Sequence, residues 1–172
     1  MQRAMGITVH TGWGACVVVG GSLEHPEIVA NALLEVLGED ERFCFHLAAE
    51  MEPRAAGEWI KRMREKACAT ATRELARLTA RSVTACAIVA KEGQQGDLTH
   101  ALASHTRIHT AEGCFYRDIF CEACKVPARI IPPSSLDVSR VGKLAASPWG
   151  RDQKLAAVAA WSLLDTGLPR PG

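Results

Sequence analysis

His105, His109 and Glu112 stand at i, i+4 and i+7 of a helical stretch. At 100° per residue their side chains line up about one turn apart on one face. Helices present metal ligands and acid–base pairs at that spacing. Leu98, Leu102, Ile108, Phe115, Tyr116, Ile119 and Ala123 share the same broad face, so it is the face turned to the core. A histidine on an apolar stripe is commonly a satisfied core residue. Three ionisable groups in succession on a buried face are costly unless they meet one another, a metal ion or a cleft. Both readings stand at this level.

Further candidates sit at segment ends. His10 closes an extended segment beside Gly12-Trp13-Gly14, and His46 with Glu50 lies just before a long helix. Glu92 follows a buried strand, at the carboxyl end where α/β sheets place ligand groups, or is an ordinary surface acid. Asp152 opens the last helix after Pro148-Trp149-Gly150, flanked by Arg151 and Lys154, which suit substrate phosphate. An aspartate there also serves as a plain helix cap or as a complement to the helix dipole.

The cysteines read differently. Cys114 and Cys121 project with Arg107, Arg117 and Lys125 on the polar side of their helix, and Cys124 lies at its margin. A structural zinc site needs a second Cys-x-x-Cys or His-x-x-x-His pair, and the chain has none elsewhere. An oligomer contact and ordinary thiols both remain open. Gly12-Trp13-Gly14 is too short for a nucleotide fingerprint, and Gly20-Gly21 lacks the Lys-Ser/Thr of a phosphate loop, so both read as hairpin turns.

The elements that must position these groups follow from periodicity and punctuation. Three extended segments, residues 5–10, 15–20 and 26–37, are separated by glycine turns and form an antiparallel meander. Pro53 starts a long amphipathic helix over 53–80, in which Ala56, Trp59, Ile60, Met63, Ala67, Ala71 and Leu78 recur at helical spacing. Residues 83–90 read as a buried parallel strand, 98–125 as one helix, and 126–131 as a fifth strand stopped by Pro132-Pro133. Residues 134–147 form a connection with a short helix, 152–164 a buried last helix, and 167–172 a frayed tail after a single domain over 1–166. The order is βββαβαβα.

A chain of 172 residues, 48% apolar, supports one core and excludes disorder. No apolar run approaches the roughly 20 residues of a membrane span, and the amino terminus lacks a secretory h-region. Seven cysteines, an odd number scattered through the elements, suit a reducing cytoplasm better than a disulfide framework. Twenty Lys and Arg against 19 Asp and Glu argue at first against nucleic acid, which favours a basic excess. The balance is local, however. Residues 1–52 hold two bases against eight acids, and 53–91 nine bases against three acids. The run Lys61-Arg62-Met63-Arg64-Glu65-Lys66, with Arg73, Arg77 and Arg81, is either a solvated helix face or a track for a phosphate backbone.

This element order resembles the RNase H-like fold, an α/β architecture with a five-stranded mixed sheet, three strands in an antiparallel meander and two parallel, flanked by helices. The closer similarity is to its RuvC-type branch, the Holliday-junction resolvases. It is carried by Gly6-Ile7-Thr8-Val9-His10-Thr11-Gly12-Trp13-Gly14, by the strand leading from Val83 to Glu92, and by Asp152-Gln153-Lys154-Leu155-Ala156-Ala157-Val158-Ala159-Ala160. The resemblance implies carboxylates from the first strand, the end of the fourth and the last helix, holding two divalent ions for phosphodiester hydrolysis. Glu92 and Asp152 match that pattern. His10 replaces the first-strand aspartate and removes a negative charge.

Magnesium prefers oxygen ligands, so among manganese, magnesium and zinc His10 argues against an ordinary two-magnesium site and towards manganese or zinc, or towards lost catalysis. One polar cluster of His10, His46, His105, His109, Glu112 and Asp152 is expected to compensate. In it His10, Glu92, His105, His109, Glu112 and Asp152 are the candidate ligands; His10, His109, Glu112 and Asp152 are the catalytic candidates; and His46 and Glu50 support them. The leading expectation is a divalent-metal-dependent nuclease acting on structured or single-stranded nucleic acid. Alternatives are a catalytically inactive binding or scaffold protein of the same fold, a homodimer in keeping with the fold family, and a protein that takes a small phosphorylated ligand.

Overall fold

The computed structural model of the chain describes residues 2–143 and 149–166. β1 (Arg3–His10), β2 (Trp13–Gly21) and β3 (Pro26–Glu35) form the antiparallel meander. α1 (Cys44–Ala48) and α2 (Pro53–Thr79) follow, then β4 (Ala85–Val89), α3 (Leu98–Leu102), α4 (His105–Ala123), β5 (Ala128–Ile131), two 3-10 turns and α5 (Arg151–Thr166). The sheet order is β3-β2-β1-β4-β5, with β4 parallel to both β1 and β5. The expected meander, the two parallel strands and the three main helices are therefore all present. The tail over 167–172 lies outside the described residues.

Strand alternation builds two cores. Met5, Ile7, Cys16, Val18, Cys86 and Ile88 point to one side and pack beneath α1 to α4. Ala4, Val17, Val19, Ala85, Ala87 and Val89 point to the other, where α5 covers them with Leu155, Ala156, Ala159, Ala160 and Leu163. The small residues of α5 let it come close to the sheet. At Gly6 the approach is so tight that a Cβ would collide with the backbone carbonyl of Ala156.

Three local features depart from expectation. The helix over 98–125 is broken at Ala103 and Ser104: Ser104 is extended and its side chain accepts from Arg107 N, a new amino-terminal cap. Residues 43–46, which show no helical period, enter the short helix α1, pinned when Trp59 Nε1 donates to Cys44 O at 3.0 Å. Cys114 and Arg117 are not on a solvated face. They are buried at 5% and 8% exposure, because α4 packs against the segment after β4 as well as against the core. Cys124 is also buried, and Cys121 is half-buried.

Candidate functional site

β1 and β4 run parallel, and their carboxyl ends open into a cleft of about 820 Å³. This is where α/β sheets bind ligands. His10, Glu92, His109, Arg151 and Asp152 all line it, so the topology brings together five candidates drawn from β1, the end of β4, α4 and α5. Lys154 and Glu50 do not line it; Lys154 is half-buried on α5 and Glu50 is exposed after α1.

The period of β1 explains how His10 and Asp152 meet. Gly6, Thr8 and His10 alternate onto the face beneath α5, while Asp152 and Ala156, four residues apart, lie on the facing side of that helix. Thr8 Oγ1 donates to the backbone carbonyl of Asp152 at 2.9 Å, and His10 Nε2 lies 2.9 Å from Asp152 Oδ1. This last contact is close without being aligned: Nε2 is shielded from solvent and makes no hydrogen bond among the described residues. The indole of Trp13 stacks on the imidazole at 4.4 Å and 13°, which holds the ring in place. Trp13 and Thr8 were not evident as site residues from sequence, although a two-residue turn joining paired positions His10 and Trp13 forces them together.

A second group gathers beside the cleft. His46, His105 and His109 each offer a ring nitrogen, all within 4.8 Å of one another. His105 Nε2 and His109 Nε2 are 2.9 Å apart, and the His46 ring lies 5.3 and 4.7 Å from the two others. Glu112 is 1% exposed and turns towards α1: its Oε1 accepts from the backbone N–H of Phe45 at 3.2 Å and lies 3.0 Å from His46 Nδ1. The six residues of the expected cluster thus fall into two sets, His10 with Asp152, and Glu112 with the three other histidines. His109 belongs to the second set and also borders the cleft.

The α2 cations are largely paired. Lys61 meets Glu65, Arg64 meets Glu122, Lys66 meets Glu41, and Arg73 and Arg77 both meet Glu74. Such exposed pairs contribute little stability, but they reduce the field that a phosphate chain along this helix would feel. Lys91 and Arg151, both exposed, are the cations among the described residues that line the cleft. The buried thiols of Cys16, Cys44 and Cys86 are unsuited to nucleophilic work. Burial raises Cys16 and Cys86 well above the ordinary thiol range, with a hydrogen bond to Cys124 the first cause at Cys86. Burial, and then the Glu112 charge, push Cys44 up to about 12.

Neither a protein-family model nor a curated protein sequence matches the chain. Solved structures do. RuvC of Thermus thermophilus in complex with a Holliday junction substrate superposes with a TM-score of 0.52 at 16% identity, over 94% of this chain and 92% of that one. A second Thermus thermophilus RuvC structure gives 0.51 and 14%, with the same coverage. No helix among the described residues is long and apolar enough to cross a membrane. The superposition spans nearly the whole chain, and with its mixed five-stranded sheet flanked by helices the chain has the RNase H-like fold seen in these RuvC structures.

Proposed function

We propose that the chain is a divalent-metal-dependent nuclease that hydrolyses phosphodiester bonds of structured or single-stranded nucleic acid in the cleft between β1, β4 and α5. The observation that carries this reading is the His10–Asp152 pair. A shielded imidazole nitrogen and a carboxylate oxygen lie 2.9 Å apart without an aligned hydrogen bond. That is how two ligands of one cation are disposed. Glu92 on the same wall supplies a second carboxylate. One nitrogen and two carboxylates suit manganese or zinc better than magnesium.

A divalent ion held there would supply the positive charge that stabilises a phosphodiester under attack. The remaining work falls to the chain. Thr8 and the amino-terminal end of α5 hold Asp152 at the cleft floor. Trp13 prevents the His10 ring from turning away. Arg151 and Lys91 grip phosphate oxygens, the guanidinium through its planar fork and the ammonium as a point charge.

The test is cleavage of a panel of branched, duplex and single-stranded DNA and RNA with manganese, magnesium or zinc. Metal-dependent products that vanish in Asp152→Asn and in His10→Ala are expected. Salt-dependent binding of the same panel without cleavage under any metal would overturn the nuclease and leave a binding protein of the same fold.

A further inference from the structure

We propose that His46, His105 and His109 form a zinc-type metal site of their own, with a donor set distinct from the His10–Asp152 pair. Three imidazole nitrogens supply the ligands, and a fourth position is left open for an exchangeable group. Binding at this site does not depend on the nuclease reading.

Four features converge on it. First, the three ring nitrogens lie within 4.8 Å of one another, with the His105 and His109 Nε2 atoms 2.9 Å apart. Ligand nitrogens around a tetrahedral zinc ion are separated by about 3.3 Å, so small rotations of His105 and His109, both exposed, complete the geometry. Second, two ligands at i and i+4 of α4 are presented from one helix face, and the third comes from α1, a different element held against it.

Third, Glu112 meets His46 through Nδ1 at 3.0 Å. A carboxylate at Nδ1 holds the proton there and leaves the Nε2 lone pair free to bind an ion, the arrangement found behind metal-bound histidines. Fourth, Glu112 is 1% exposed, and its side-chain contact is an imidazole rather than a lysine or arginine. A buried carboxylate is costly without a compensating cation. An ion on His46, one imidazole away, supplies that charge. The 2.9 Å approach of His105 Nε2 to His109 Nε2 already gathers two of the ligands. All-imidazole donors select zinc, cobalt, nickel or copper over magnesium and calcium.

The experiment uses the tag-free 172-residue chain, stripped with chelator and titrated with cobalt(II). One equivalent should produce the visible bands of four-coordinate cobalt, and zinc should bleach them. His105→Ala and His109→Ala should each remove the bands and weaken zinc binding about 100-fold. Glu112→Gln should keep the bands and weaken binding about 10- to 100-fold. His25→Ala, which removes an exposed histidine outside both sites, should bind as wild type does. Since His105 and His109 are exposed, their variants carry the test even where Glu112→Gln fails to fold. Absence of saturable binding in the wild type, or binding undiminished in the His105→Ala, His109→Ala double variant, would overturn the site. Binding lost in Asp152→Asn but kept in the double variant would overturn it too, while supporting the ion at the His10–Asp152 pair. Absence of nuclease activity in the wild type, with intact cobalt bands, would count against the nuclease reading alone.

Discussion

Gly6 of β1 lies directly beneath the backbone carbonyl of Ala156 in α5, with no room for a side-chain carbon between them. This contact sets the height of α5 above the sheet. Thr8 and His10 follow Gly6 at alternate positions, and both meet Asp152, so the same contact sets the reach from His10 to the carboxylate. Gly6→Ala must therefore lift the helix or bend the strand. Overpacking of this kind costs about 1–3 kcal/mol. With a shift of about 2–4 °C per kcal/mol for a chain of this size, thermal unfolding should begin several degrees lower. Any cleavage activity should fall by more than the loss of folded protein accounts for. A Gly6→Ala protein with unchanged melting temperature would show that α5 adjusts freely.

His10 offers a sharper test of metal choice. If its nitrogen is a ligand beside Asp152 Oδ1, His10→Asp replaces a borderline donor by a hard one and adds a negative charge. The metal profile should then move towards magnesium, with magnesium-supported cleavage rising at least about tenfold relative to manganese-supported cleavage. An unchanged ratio would mean that residue 10 touches no ion. Asp152→Asn retains the shape and loses the charge, so cleavage should drop about 100-fold or more under every metal.

Much of this arrangement was legible in the chain. Gly12-Trp13-Gly14 and the valines of β2 announced the hairpin, and Asp152 before an alanine-rich run announced α5. The spacing of His105, His109 and Glu112 put them together on the core-turned face of one helix; they share α4, but only Glu112 is buried, and His105 and His109 are exposed. What spacing could not show is which neighbour each would face. Glu112 turns to α1, an element of five residues whose position depends on packing against Trp59 and α4 rather than on any period of its own. Cys114 and Arg117 fall on the polar side of a helical wheel, yet α4 is covered there by the loop after β4. A wheel describes one stripe and one core; α4 is enclosed from more than one side. The break before α4 was signalled by Ser104, a good capping residue, but apolar periodicity runs through it.

The cysteines give a direct probe of that enclosure. Cys68 and Cys121 are half-buried, and the other five are buried. Burial raises both half-buried thiols above the ordinary range, so they should react slowly, and faster as pH rises and thiolate forms. Aromatic disulfide reagent at pH 8 should therefore modify Cys68 and Cys121 in the native protein, with the remainder released only in denaturant. Rapid native labelling of Cys114 or Cys44, read by peptide mass mapping, would contradict the packing of α4.

Arg117 links that packing to the cleft. Its Nη1 donates to the carbonyl of Gly93 at 2.9 Å and, more weakly, to that of Lys91 at 3.4 Å, while Nη2 pairs with Asp118 at 2.7 Å. The backbone segment so held carries Lys91 and Glu92, a phosphate contact and a carboxylate in the proposed reaction. Arg117→Met keeps much of the apolar stem and removes the donors, leaving two loop carbonyls without them. Hydrogen bonds from a charged donor are worth about 1.5–3 kcal/mol, and a loss in that range is expected in chemical denaturation. Because the segment is tethered rather than built by Arg117, the fold should persist and the Lys91 and Glu92 side chains should lose their fixed place. Substrate KM should rise about tenfold with a smaller change in kcat, a split that a purely global destabilisation would not produce. Equal KM in Arg117→Met and wild type, with stability reduced as expected, would confine Arg117 to a structural role.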